Sequence, residues 1–336
     1  MMTKRLLAAS SIAHLLVDAV CASVIVSASG TDLLAAFFLY NTFAFSTQCV
    51  VGLLTDRFGH CRILAPTACA WVAVCGILPF RPIIGAVLIG LGNSLFHVSA
   101  GSVVMKSSEG KAAPLGIFVA PGALGVFAGK TFPELRIVLC VMLTLCAAWL
   151  LFENRYDRSQ HSPKFKMEED SKEMLPTALL LLFAVMTRAI GGSVAGSSGQ
   201  AVLWINLLMV FCVFLGKSFG GVISDRVGIR KMTLFSMPLS AFLILIGGRS
   251  FIAGSIGQFL LNLSMPVTLF LIYRCLPESP GFSFGLAASV LWPGTLIGTF
   301  ISVSGGIKTV LILFCFSISL FSILYAERKT THEKSN

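Results

Sequence analysis

Charge is scarce in this chain. Asp, Glu, Lys and Arg together make up 12% of its 336 residues, about half the share of roughly 25% in soluble domains. Hydrophobic residues make up 56%, and the mean hydropathy is +0.87. Too little polar surface is left to cover a water-soluble globule, so lipid is the solvent for most of the chain. Metal-ligand spacing is missing as well. Ten cysteines are scattered, mostly inside apolar runs, with no C-x-x-C and no Cys/His pattern suited to an ion. They read as small core residues, and neither metal nor cofactor is expected. A leader-type cleavage site is also absent: the apolar stretch 6–27 lacks the small-residue signature, so it reads as a first membrane helix. The net charge of +10 is spread over short connections rather than gathered in a stripe, which excludes a nucleic-acid partner.

What the chain does have is a series of apolar runs long enough to cross about 30 Å of hydrocarbon, which takes about 20 residues each. They recur near 6–27, 32–54, 62–80, 82–105, 112–129 and 135–152, then near 176–196, 200–223, 232–248, 250–273, 281–302 and 307–326. Between the two sets, 153–175 is rich in both signs of charge and reads as a solvated linker. The pattern predicts an all-α membrane protein of twelve transmembrane helices: a six-helix half over 1–152, a cytoplasmic linker over 153–175, and a second half over 176–336. Counting Lys and Arg by side sets the orientation. Eighteen lie on the side of the termini and the linker, five on the other, and Arg188 and Lys217 fall within helices. Both termini are therefore expected in the cytoplasm, in an inner or plasma membrane.

Two connections repeat. GLLTDRFGHCR at 52–62 and GVISDRVGIRK at 221–231 align Gly52, Asp56, Arg57, Gly59 and Arg62 with Gly221, Asp225, Arg226, Gly228 and Lys231, at a constant offset of 169; Arg230 adds a second basic residue to the later copy. Each copy occupies the same loop of its half, so the chain is an internal duplication. These loops resemble the cytoplasmic signature of the major facilitator superfamily, G-x-x-x-D-R-x-G-x-(R/K)-(R/K), with Cys61 standing where a basic residue is usual. The resemblance implies the major facilitator fold and a gate, in which each carboxylate pairs with basic groups near a helix end. The glycines would let helices approach closely. By that reasoning the second copy, with its full basic set, is the stronger latch.

A narrower resemblance rests on the first and fourth runs. HLLVD, His14 to Asp18, and GLGNSLFHVSAG, Gly90 to Gly101, are similar to the fosmidomycin-resistance branch of bacterial drug exporters, although Val98 replaces the proline usual after this histidine. In the superfamily, helices 1, 4, 7 and 10 line the central cavity. The ionisable residues at membrane depth are His14, Asp18, His97 and Arg188, one or two on each of the first three of these, and such residues are costly in lipid unless they serve a site. At about 1.5 Å per residue, His14 and His97 share one depth of about 12 Å, and Asp18 and Arg188 another of about 18 Å. Asp18 and Arg188 are either an exchangeable pair or a purely structural one. Gln258 and Asn262 on the tenth helix are weaker cavity candidates. Pro121-Gly122 in the fifth run resembles a degenerate antiporter signature and marks a hinge. The proton-coupling arginine of many drug antiporters is missing from the fourth helix, near Ala86.

Taken together, the resemblance implies a secondary active transporter, not an enzyme. It would move a small organic compound by alternating access, with protons as the coupling partner, membrane lipid around it and a monomeric state. Efflux is the first expectation and proton-coupled uptake of an organic anion the second. A membrane-embedded enzyme or a transport-dead sensor are the alternatives from other classes.

Overall fold

The structure is a computed structural model that describes residues 4–59, 61–156, 169–195, 202–247 and 250–332, with the side chains of 61, 154–156, 169–172 and 332 excepted. Most of the expected linker, and with it the charged run 157–168, lies outside the described residues. In hydrocarbon every backbone N–H and C=O must find its partner within the segment, so apolar runs of this length become helices.

Among the described residues twelve membrane helices follow in order: α1 (Lys4–Val26), α2 (Gly30–Phe58), α3 (Cys61–Ile77), α4 (Pro82–Lys106), α5 (Ala113–Thr131), α6 (Arg136–Tyr156), α7 (Glu169–Ala195), α8 (Leu203–Val227), α9 (Ile229–Ile246), α10 (Phe251–Cys275), α11 (Pro280–Phe300) and α12 (Gly305–His332). Eleven are long and apolar enough to cross a membrane, and α3 is a shorter apolar helix. This is an integral membrane protein. Its outer faces carry large exposed apolar side chains such as Leu145, Phe235 and Phe300, as a lipid-facing surface requires.

Three helices are interrupted. A π-helical turn, Thr42–Ser46, divides α2. In α5 the first segment ends at Val119 and a second starts at Pro121, where a missing N–H costs nothing. Its counterpart α11 breaks between Ser289 and Leu291, just before Trp292-Pro293-Gly294.

Two compact units result, and they do not follow chain order. One comprises Met1–Glu109, Phe118–Lys166 and Glu278–Ser289; the other comprises Gly110–Ile117, Met167–Pro277 and Val290–Asn336. Each unit thus takes the opening segment of α5 or α11 from the other half of the sequence. Inside the first unit, α1 packs on the second segment of α5 and on α6, and α3 packs on α4. Inside the second, α7 packs on the second segment of α11 and on α12, and α9 packs on α10. The two plans match element for element.

Candidate functional site

The repeated loops show what the exchanged segments do. In the first unit the Asp56 carboxylate accepts N–H bonds from Gly281 (2.9 Å) and Phe282 (2.8 Å), at the start of α11. In the second unit the Asp225 carboxylate accepts from Ala112 and Ala113, both 2.9 Å, at the start of α5. The donors, like the acceptors, are 169 residues apart. Helix N-termini offer unsatisfied N–H groups and the positive end of the macrodipole, which suits a carboxylate. Backbone amides thus hold both carboxylates, partners the sequence did not mark. Arg57, Arg226, Arg230 and Lys231 are exposed, and Lys106 acts on Asp56 through space. Arg62 is part-buried.

The motif glycines divide into two jobs. A Cβ on Gly52 would strike the Gly281 carbonyl and Phe282 Cα, and one on Gly221 would strike the Ala112 carbonyl and Ala113 Cα. These two permit the close approach that brings each aspartate to its amides. Gly59 (φ 72°) and Gly228 (φ 92°) instead terminate α2 and α8 in backbone conformations that side chains disfavour.

Deeper in the first unit, His14, Asp18 and His97 meet. The fourfold spacing in α1 sets His14 and Asp18 on one face, and His14 Nε2 lies 3.3 Å from Asp18 Oδ2. His97 on α4 places its Nε2 2.8 Å from His14 Nε2 and 3.7 Å from Asp18 Oδ1. His14 Nδ1–H donates to the Phe118 carbonyl (2.8 Å) and His97 Nδ1–H to the Asn93 carbonyl (2.9 Å). Asn93 Nδ2 also donates to Asp18 Oδ1 at 2.9 Å. His14 and His97 are only 5% and 8% exposed, and the rings of Phe96 and Phe118 pack against them. Pro121-Gly122 closes the cluster from α5, where a Cβ on Gly122 would collide with Asp18 Oδ2 and His14 Nε2.

Arg188 belongs to the second unit and is 8% exposed. Its Nη1 donates to Ser264 Oγ and Thr268 Oγ1 on α10, both at 2.9 Å. Those hydroxyls pass their own protons to the carbonyls of Leu261 and Ser264, so Arg188 is solvated by hydroxyls. Asp18 and Arg188 each find these partners within their own unit. Of the weaker candidates, Asn262 donates to the Gln258 carbonyl of its own helix at 2.8 Å, and both side chains are part-buried.

Sequence reasoning missed Asn93, Ser264, Thr268 and the Phe118 carbonyl. Asn93 had a signal: it stands four residues before His97, on the same face of α4. A backbone carbonyl carries none.

Solved structures share this architecture. A crystal structure of a point variant of the E. coli fucose:proton symporter FucP matches with a TM-score of 0.65 at 12% identity, over 95% of this chain and 97% of that one. A second, of FucP as a major facilitator superfamily transporter in the outward conformation, gives 0.56 at 12% identity, over 94% and 98%. No family model matches the chain, and no curated protein sequence does. Likeness at this identity carries the fold: this is the major facilitator fold, with twelve transmembrane helices in two six-helix halves.

Proposed function

We propose that the chain is a secondary active transporter that exports a small organic compound by alternating access in exchange for protons. One observation carries the reading: His14, Asp18 and His97 form a buried ionisable cluster in a membrane helix bundle that could have been packed with hydrocarbon. Burying such groups in lipid is expensive and serves proton and substrate handling. The resemblance to fosmidomycin-resistance exporters is supported by the same cluster, because its two motif pieces, from α1 and α4, come together there. The paired loops supply the gate: Asp56 and Asp225 each hold the first amides of a helix, and releasing them would free one end of the bundle. Pro121-Gly122 is the hinge of α5. Both termini and the 153–175 linker face the cytoplasm in this reading, and the protein works as a monomer in the cell membrane. A membrane-embedded enzyme would also bury His and Asp, but it has no use for two matched latches in a six-plus-six duplication, and a transport-dead sensor has no use for the buried charge.

A second reading, proton-coupled uptake of an organic anion, is favoured by Arg188. Its charge is held by hydroxyls in its own unit, which leaves it suited to an anionic group of a substrate. Proteoliposome flux under an imposed pH gradient, screened over amphiphilic drugs and small organic anions, tests both. Gradient-driven export of a drug supports the first reading and anion uptake the second. Absence of gradient-driven flux for every compound, in protein that remains folded, overturns the transporter reading. A tag in the 153–175 segment that is reached from outside intact cells overturns the topology.

A further inference from the structure

The hydrogen bonds of the cluster fix its charge. The Phe118 and Asn93 carbonyl oxygens can only accept, so the Nδ1 atoms of His14 and His97 both carry protons. A neutral imidazole holds one proton, so each Nε2 would then be a bare lone pair. Yet the two Nε2 atoms lie 2.8 Å apart, at hydrogen-bond distance. Three bonds need three protons, and two neutral rings supply only two. We propose that this cluster is a single-proton binding site: one extra proton is shared between His14 Nε2 and His97 Nε2, and Asp18 stays ionised beside it as its counter-ion. The proton sits on nitrogen, never on the carboxylate, and the pair and Asp18 together are neutral.

Asn93 is the positioning residue. Its backbone carbonyl holds His97 Nδ1–H, and its side-chain amide holds Asp18 Oδ1. One residue thereby fixes the tautomer of one ring and the orientation of the counter-ion. The groups around the pair fit this state. Asp18 is the anion on α1; Cys21 and Tyr40 are the other titratable groups within its electrostatic reach, and the Phe96 and Phe118 rings flank the imidazoles. A metal ion is the competing cation, since the three side chains could surround one. The nitrogen separation of 2.8 Å is short for that: two imidazoles on a tetrahedral ion, at about 2.0–2.1 Å each, stand roughly 3.3 Å apart. Loss of the proton leaves two lone pairs facing one another next to a carboxylate, and this drives α1 from α4. Proton occupancy is thus written into one helix contact.

The inference rests on the transporter reading for its purpose, but its test does not. The chain has five histidines, and replacing His60, His161 and His332 by glutamine leaves His14 and His97 as the only imidazoles. Nitrogen-resolved NMR of the full chain in lipid nanodiscs, with labelled histidine, then reads the pair directly. The expected result is an Nδ1-bound proton on both rings at every pH, with one further proton lost in a single step common to both. In Asp18→Asn the affinity for that proton should fall at least tenfold, and in Asn93→Ala, which keeps the backbone carbonyl on His97 and removes only the amide that holds Asp18, it should fall by less while the two rings still titrate together. Independent titration of the two rings, an Nε2–H tautomer with bare Nδ1 in either, or an unchanged affinity in Asp18→Asn overturns the proposal. So do nitrogen shifts that change on adding a chelator, which assign a metal. Shared-proton signals without gradient-driven flux sink the transporter reading and leave this site standing. Flux without the shared proton does the reverse.

Discussion

The two halves of this molecule repeat each other's backbone contacts and differ in their buried chemistry. Asp56 and Asp225 hold amides related by the same 169-residue offset as the aspartates themselves. Gly125 and Gly129 lie against the Leu15 and Ala19 carbonyls of α1, and Gly294 and Gly298 lie against the Met186 and Ile190 carbonyls of α7. The ionisable residues at membrane depth, His14, Asp18, His97 and Arg188, have no such counterparts. The α1–α7 correspondence sets Val185 opposite His14 and Ala189 opposite Asp18, and the 169 offset sets Pro266 opposite His97. Asn262 does match Asn93, but with no carboxylate to hold, its side chain bonds to its own helix. Contacts between backbones tolerate no side chain, so both copies had to retain them. A polar interior has only to satisfy itself, so one half could specialise in a His/Asp cluster and the other in an arginine among hydroxyls.

The largest effect expected from this comparison is therefore one-sided. Asp18→Asn or His97→Ala strips a partner from a buried charge, which is worth several kcal/mol. Gradient-driven flux should fall about a hundredfold or more, while changing Val185, the counterpart of His14, to Ala leaves the pH dependence as it was. Proteoliposome flux measured across a pH series checks this; an Asp18→Asn variant that retains wild-type pH dependence shows the halves to be equivalent. Arg188→Gln comes next. It should cost about tenfold or more in flux of an anionic compound through loss of charge-assisted hydrogen bonds, with little change for a neutral one. Equal losses for both compounds would make Arg188 a structural residue of the second half.

This comparison also shows where the sequence was legible. The apolar runs, the six-plus-six order and the 169 offset all follow from the solvent and from duplication, and the helices appear within a few residues of where they were expected. Equal helix depth placed His14 and His97 at one level, and they touch. The partners of Asp56 and Asp225 were not legible, because a helix-terminal N–H leaves no mark in residue identity. The passage of 110–117 and 278–289 into opposite units was hidden for the same reason: those segments are held by glycine contacts and amides, not by a charge pattern.

The latches give the third test. Asp56 is 1% exposed, whereas Asp225 is exposed, though each accepts two backbone amides. Asparagine can accept but offers no charge, and its amide must turn away one N–H. The buried copy should lose about 1.5–3 kcal/mol and the exposed copy about 1 kcal/mol or less. Basic content alone ranks them the other way, in favour of the second loop. Thermal unfolding of the two single variants in detergent decides between burial and basic content, because each ranking forbids the other.

The smallest expected difference separates the two turn glycines. Gly59 ends α2 at φ 72°, ψ 16°, the left-handed helical region, which asparagine enters readily. Gly228 ends α8 at φ 92°, ψ 144°, a region open almost solely to glycine. Nothing lies within 4 Å of a Cβ built at Gly228, so crowding cannot account for a loss there and only backbone strain can. Gly59→Asn should change stability by about 1 kcal/mol or less, and Gly228→Asn should cost about 1–3 kcal/mol. The loops would then be matched in sequence and in the amides they bind, yet distinct in how each chain leaves its helix. Comparable melting temperatures for the two variants would mean that Gly228 relaxes into the left-handed region at no cost, and that the two turns are interchangeable.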